Sequence, residues 1–140
     1  MRMFTLALAL FITLSSTGME IHPQSPASPN IYRDHSGQNY RLLKKAHYMI
    51  LDTAHFYLYS YNKLVQGEKI ARPTTCYYFS QDAASPIMPL TIANLEKVFA
   101  GDAAFCYKLH TDFKSDKDLI SWYPSLKTYK IKYAYGQSSK

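Results

Sequence analysis

His55-Phe56-Tyr57-Leu58-Tyr59-Ser60-Tyr61 is the stretch on which the fold turns. Read with Leu43, Ile50, Ala54 and Leu64, it places apolar residues at roughly helical spacing, so a single amphipathic helix over 40–67 competes for it. The density of rings argues the other way, because aromatic side chains fit a pleated, half-buried surface, and Asp52-Thr53 supplies turn chemistry just before them. The stretch therefore predicts strands: a first near 42–51, a turn at 52–54 and a second over 55–61. Asn62-Lys63 and Gln66-Gly67 are the next turn candidates, with a short third strand between 64 and 71.

Downstream, Pro73 breaks the chain, and Thr74-Thr75-Cys76-Tyr77-Tyr78-Phe79-Ser80 is β-branched and aromatic enough to predict another strand. Pro86 and Pro89 mark 82–89 as a loop, since neither can donate to a ladder. Thr91 then reads as the N-cap of a helix over 92–100, with Gly101 just past its end and Leu90 closing over Leu95. Ile92, Leu95, Val98 and Phe99 form its inward stripe. Asp102 caps a second helix with Phe105, Cys106, Leu109 and Phe113 turned inward, and Ser115 caps a third that ends by Pro124. Tyr129, Ile131, Tyr133 and Tyr135 alternate with lysines, which predicts a final strand whose lysine face meets water. The class expected is α+β, a small antiparallel sheet packed against two or three short C-terminal helices, in one domain over 40–135 with a disordered tail at 136–140.

Upstream, Arg2 precedes an uncharged apolar run over 3–14, and Ser15, Ser16, Thr17 and Gly18 provide small residues before Met19. Residues 1–18 read as a removable secretory signal, because about twelve apolar residues fall short of the roughly twenty that span a bilayer. Residues 19–39, with Pro23, Pro26 and Pro29 among polar residues, read as a flexible leader. The remaining chain is expected to be no integral membrane protein and to lie in the periplasm or outside a Gram-negative cell. Losing the signal removes only Arg2 from a net charge of +6, and no block of like charges occurs, so no specific nucleic-acid binding is expected. Lys127, Lys130 and Lys132 form the one basic edge. For an exported chain with two cysteines, a Cys76–Cys106 disulfide is the expectation; closing about thirty residues stabilises by roughly 3.6 kcal/mol in the chain-entropy model.

Reactive groups are sparse. Asp52 with His55, and His110 with Asp112, are the candidates for metal or acid–base work in a hydrolase-type enzyme, yet they lack the close repeated spacing of a zinc site. On a helix His110 and Asp112 point apart. Neither a phosphate loop nor a GxSxG turn occurs, and Glu20, Glu68 and Glu96 are scattered, so no catalytic residue, metal or cofactor is assigned. The composition instead offers 13 tyrosines. Tyr57, Tyr59, Tyr61, Tyr77 and Tyr78 are the candidate binding residues of a non-catalytic binding or structural module with a protein or glycan partner.

Tyr78-Phe79-Ser80-Gln81-Asp82, Pro89-Leu90-Thr91-Ile92-Ala93-Asn94-Leu95 and Asp112-Phe113-Lys114-Ser115-Asp116-Lys117-Asp118-Leu119 together resemble small exported proteins of bacteroidete-type bacteria, over about 56–135. The resemblance implies a Gram-negative periplasmic or secreted location. It carries over no activity and no functional residue.

Overall fold

The computed structural model describes residues 30–66 and 71–138; the signal, the first part of the leader, Gly67 and the last two residues of the tail lie outside them. The fold is α+β. Six antiparallel strands follow one another across one sheet in chain order: β1 (Ile31–Arg33), β2 (Asn39–Leu43), β3 (Ala46–Asp52), β4 (Tyr57–Gln66), β5 (Ala71–Ser80) and β6 (Met88–Pro89). Aromatic density thus prevails over the helical spacing. The expected first strand is two, because Lys44 takes a left-handed φ of 56° and turns β2 into β3. Part of the expected leader is also sheet: Asp34 Oδ1 accepts from the Ser36 and Gln38 amides, folding β1 back onto β2. Asn62-Lys63 lies within β4, paired with Thr75 and Thr74, so the turn expected there is absent. The segment expected as a third strand is divided between the end of β4 and the start of β5.

Register decides which residues meet the helices. Tyr59 pairs with Tyr78, and Leu58 with Phe79. Since successive side chains alternate, Tyr57, Tyr59, Tyr61, Cys76, Tyr78 and Ser80 share one face, and Phe56, Leu58, Tyr77 and Phe79 share the other. The second face packs against α1 (Ile92–Val98), α2 (Ala103–Asp112) and α3 (Lys130–Ser138), with Leu95, Phe99, Phe105, Leu109, Leu119 and Ile131 in one buried cluster with Phe56, Leu58 and Phe79.

The helix caps follow the sequence. Thr91 Oγ1 accepts from the Asn94 amide, and Asp102 Oδ1 from the Phe105 amide. The Ser115 segment is a 3-10 helix, Asp116–Ile120, with Asp118 Oδ2 accepting from the Lys114 and Ser115 amides. One end differs: α1 stops at Val98, with Phe99 as its C-cap, and Gly101 is not left-handed. Beyond the 3-10 helix, β7 (Trp122–Tyr123) and β8 (Thr128–Tyr129) form a small second sheet.

The expected final strand is instead α3, which also takes in Gly136 and Ser138 of the expected tail. Period two and period 3.6 both fit 129–135, and burial decides between them. Tyr133 is exposed while Ile131, Lys132 and Ala134 are buried, a helical pattern. The expected lysine edge goes with the strand. Lys132, 3 % exposed, donates Nζ to the main-chain oxygens of Ala54 (2.6 Å) and Phe56, lies 3.6 Å from Asp52 Oδ1 and sits over the Phe56 ring. Lys130 Nζ donates to Asp112 O, leaving Lys127 as the exposed member of the three.

The expected disulfide is absent, and both thiols are free. Alternation is the reason: Cys76 opposes Tyr61 on the helix-free face, whereas Cys106 is on α2 beneath the other face, its Sγ 3.4 Å from Phe99 O. Thermal midpoints with and without dithiothreitol are expected to coincide. A midpoint lowered by the reductant contradicts this placement.

Burial, opposed in part by Asp52, lowers the Lys132 pKa to about 8. Above that pH the folded chain has released a proton that the unfolded chain keeps up to its ordinary lysine pKa, so this site adds stability as pH rises. Lys132→Met, which orphans two carbonyls, is expected to cost about 1–3 kcal/mol near neutral pH. From about pH 7 to about pH 9.5 the wild type should gain roughly 2 kcal/mol over that variant in urea unfolding. A constant difference rejects the buried ammonium.

Candidate binding site, a tyrosine face

The helix-free face is built around a buried guanidinium. Arg41, on β2 opposite Tyr48, is 5 % exposed. Its Nη1 donates to Tyr59 Oη and Ser80 Oγ, both at 3.1 Å, and its Nη2 to Ser85 O at 2.8 Å. Tyr59 Oη and Ser80 Oγ also bond each other at 2.8 Å, and Ser80 Oγ reaches Asp82 O. A buried charge is costly unless its donors are met; here neutral oxygens from three segments meet them, and the Asp82 carboxylate acts on the guanidinium without a direct ion pair. The 81–87 loop is shaped to supply one of these. Asp82 Oδ1 accepts from the Ala84 and Ser85 amides, and hydrogen bonds from Ser85 and Ala84 hold its carboxyl below the usual range.

Above this network lie half-buried tyrosines. Tyr48 is 5.2 Å from Tyr78 at 77° between planes, 5.3 Å from Tyr61 at 36°, and 6.3 Å from Tyr59. Tyr57 stacks on Tyr59 at 6.0 Å. Burial, with Cys76, Tyr48 and Tyr61 around it, raises the Tyr78 pKa. Of the five sequence candidates, Tyr57, Tyr61 and Tyr78 belong to this surface, and Tyr59 is its fully buried floor. Tyr77 is misplaced by the sequence reading: it packs on the helix side against the main core. Tyr48 and Arg41 were missed. For Tyr48 the signal is its two-residue step from Ile50, whereas Arg41 carries no sequence mark of burial.

The reactive candidates do not converge. Asp52 accepts from the Ala54 amide and faces Lys132. His55, at a left-handed φ of 64°, lies against the Tyr135 ring at 5.3 Å. His110 bonds Glu96 of α1, and Asp112 pairs with Lys108 at 3.3 Å. Among the described residues no three His, Cys, Asp or Glu side chains group as metal ligands. Cys106 shares a helix face with His110, four residues on, but burial, then Glu96 and Asp102, push its thiol pKa up, which disfavours the thiolate.

No family model, curated protein or solved structure matches the chain. No helix among the described residues is long and apolar enough to cross a membrane.

The two roles of tyrosine on this face separate by hydroxyl deletion. Tyr59→Phe, which deprives Arg41 and Ser80 of a buried partner, is expected to lower stability by about 1–3 kcal/mol. Tyr78→Phe, with no hydrogen bond to lose, should stay within about 0.5 kcal/mol. Equal effects in chemical denaturation contradict the assignment of floor and surface.

Proposed function

We propose that this protein is a non-catalytic binding module of the cell envelope or secretome, exported to the periplasm or exterior of a Gram-negative cell, whose tyrosine face docks a protein partner. One observation carries the reading. Tyr48, Tyr57, Tyr61 and Tyr78 sit half-buried on the sheet face that the helices leave free, over the Arg41–Tyr59–Ser80 network. Tyrosine supplies large contact area at low entropic cost and a hydroxyl for the rim, and a face held from beneath loses little further freedom on binding. The ring geometry favours protein over glycan. Tyr48 meets Tyr78 edge to face and Tyr61 at a tilt, so the rings form a corrugated surface rather than the open coplanar platform on which a sugar chain stacks.

The test is affinity capture from envelope extract, with Tyr48→Ala and Tyr61→Ala beside the wild type and Tyr133→Ala as a control. Tyr133 is exposed on α3, away from this face. A protein retained by wild type and control but lost on both face variants, each with an unchanged circular dichroism spectrum, is the expected result. Capture indifferent to the face variants, or retention on a glycan array that Tyr48→Ala abolishes, overturns it.

A further inference from the structure

Beyond the helical cover, the Leu58 face of the sheet carries a cup of about 170 Å³ lined by Tyr40, His47, Met49, Ser60, Tyr61 and Asn62. Register assembles it. Tyr40 opposes Met49 and Met49 opposes Ser60, giving one row across β2, β3 and β4. His47 and Asn62 lie two residues further along β3 and β4, on the same face by alternation. This is the opposite side of the sheet from the rings of Tyr48 and Tyr78.

The cup holds polar groups whose capacity the protein does not use. Ser60 is 5 % exposed, yet its hydroxyl makes no hydrogen bond among the described residues. It is not sealed off, since no fully inaccessible side-chain polar atom there lacks a partner. A hydroxyl so buried is normally paired, and this one, unpaired by the protein, faces the cup. Asn62 accepts from Thr75 Oγ1 at 2.9 Å through Oδ1, which orients the amide and leaves its two N–H donors unengaged. His47 Nδ1 is engaged by Tyr32 Oη at 2.6 Å, leaving Nε2 as the ring nitrogen without a partner. Tyr40 is braced by stacking on Tyr32 at 5.5 Å, and Met49 adds an apolar surface.

We propose that this cup binds one neutral polyhydroxylated six-membered ring, a single sugar unit. An engineered cavity of about 150 Å³ takes benzene, so a cup of about 170 Å³ has room for one face of a six-membered ring, whose outer hydroxyls then project through its open mouth. Its chemistry disfavours the apolar version, which covers the buried Ser60 hydroxyl without pairing it. No Lys, Arg, Asp or Glu lines it, so an ionic ligand meets no counter-charge. A hydroxyl, an amide and an imidazole beside a tyrosine ring and a thioether match alternating C–H and O–H surfaces instead. The proposal is independent of the tyrosine face, because none of the groups that would bond the ring projects from it.

The test is an amide-resolved NMR titration of the full chain with the methyl glycosides of glucose, galactose, mannose and N-acetylglucosamine, with cyclohexanol and glucuronate as controls. At least one glycoside should shift the amides of residues 40, 47, 60 and 62 with a dissociation constant of about 1–10 mM, the weak range of a lone small ring. Ser60→Val should weaken it about tenfold, the scale of one lost hydrogen bond. Tyr78→Ala should leave it unchanged. Asn62 is exposed, so Asn62→Ala gives the same reading should the valine variant not fold. No shift from any glycoside, equal binding of cyclohexanol or glucuronate, or binding indifferent to the variants overturns the proposal.

Discussion

The pairing of β4 with β5 governs this molecule. Ten residue pairs run from Tyr57–Ser80 to Gln66–Ala71 without a shift, and in such a ladder a slip of one residue would exchange the two faces entirely. Because the register holds, Leu58 and Phe79 go to the helices, while Tyr59, Tyr61 and Tyr78 go to the side with none. The guanidinium of Arg41 can be buried only because Tyr59 and Ser80 arrive on that side together. The same sorting places Ser60 in the cup and separates Cys76 from Cys106.

The second constraint is the ammonium of Lys132. It ties α3 to the turn between β3 and β4 through two main-chain oxygens and Asp52, across most of the sequence. A buried cation is weak evidence for stability, since its desolvation opposes the contacts it makes. What it does supply is position: a greasy helix end could settle in several orientations, whereas three acceptors around one nitrogen admit few. Phe56, under that nitrogen, also meets Phe79, Phe99 and Tyr135, so the clamp and the aromatic core are continuous.

Much of the architecture was legible in the residues themselves. Thr91, Asp102 and Ser115 announced three helix starts because a side-chain acceptor before an apolar run has few other uses. The aromatic density of 55–61 correctly outweighed its helical spacing. The failures share one cause, which is that local pattern underdetermines tertiary placement. Residues 129–135 satisfy both periods, and the choice of helix rests on the distant carbonyls that Lys132 reaches. The Lys44 turn lacks the glycine or asparagine that marks such turns. The disulfide was inferred from compartment chemistry, whereas the register of β4 and β5 sets where Cys76 points. Of the candidate face, the tyrosines of β4 and Tyr78 could be read from composition, but Tyr48 and Arg41 join them only through strand pairing. The unbonded Ser60 hydroxyl was invisible until its neighbours were known.

The most direct test of the two-faced sheet is a nuclear Overhauser map of the aromatic and cysteine side chains. Cross-peaks joining the Cys76 β-protons to the Tyr61 and Tyr78 rings, Tyr48 to both of those rings, and Phe56 to Phe79 and Phe99 are the predicted result. Cross-peaks from Cys76 to Phe105 or Cys106 of α2, or from Tyr78 to Phe99, would contradict the account.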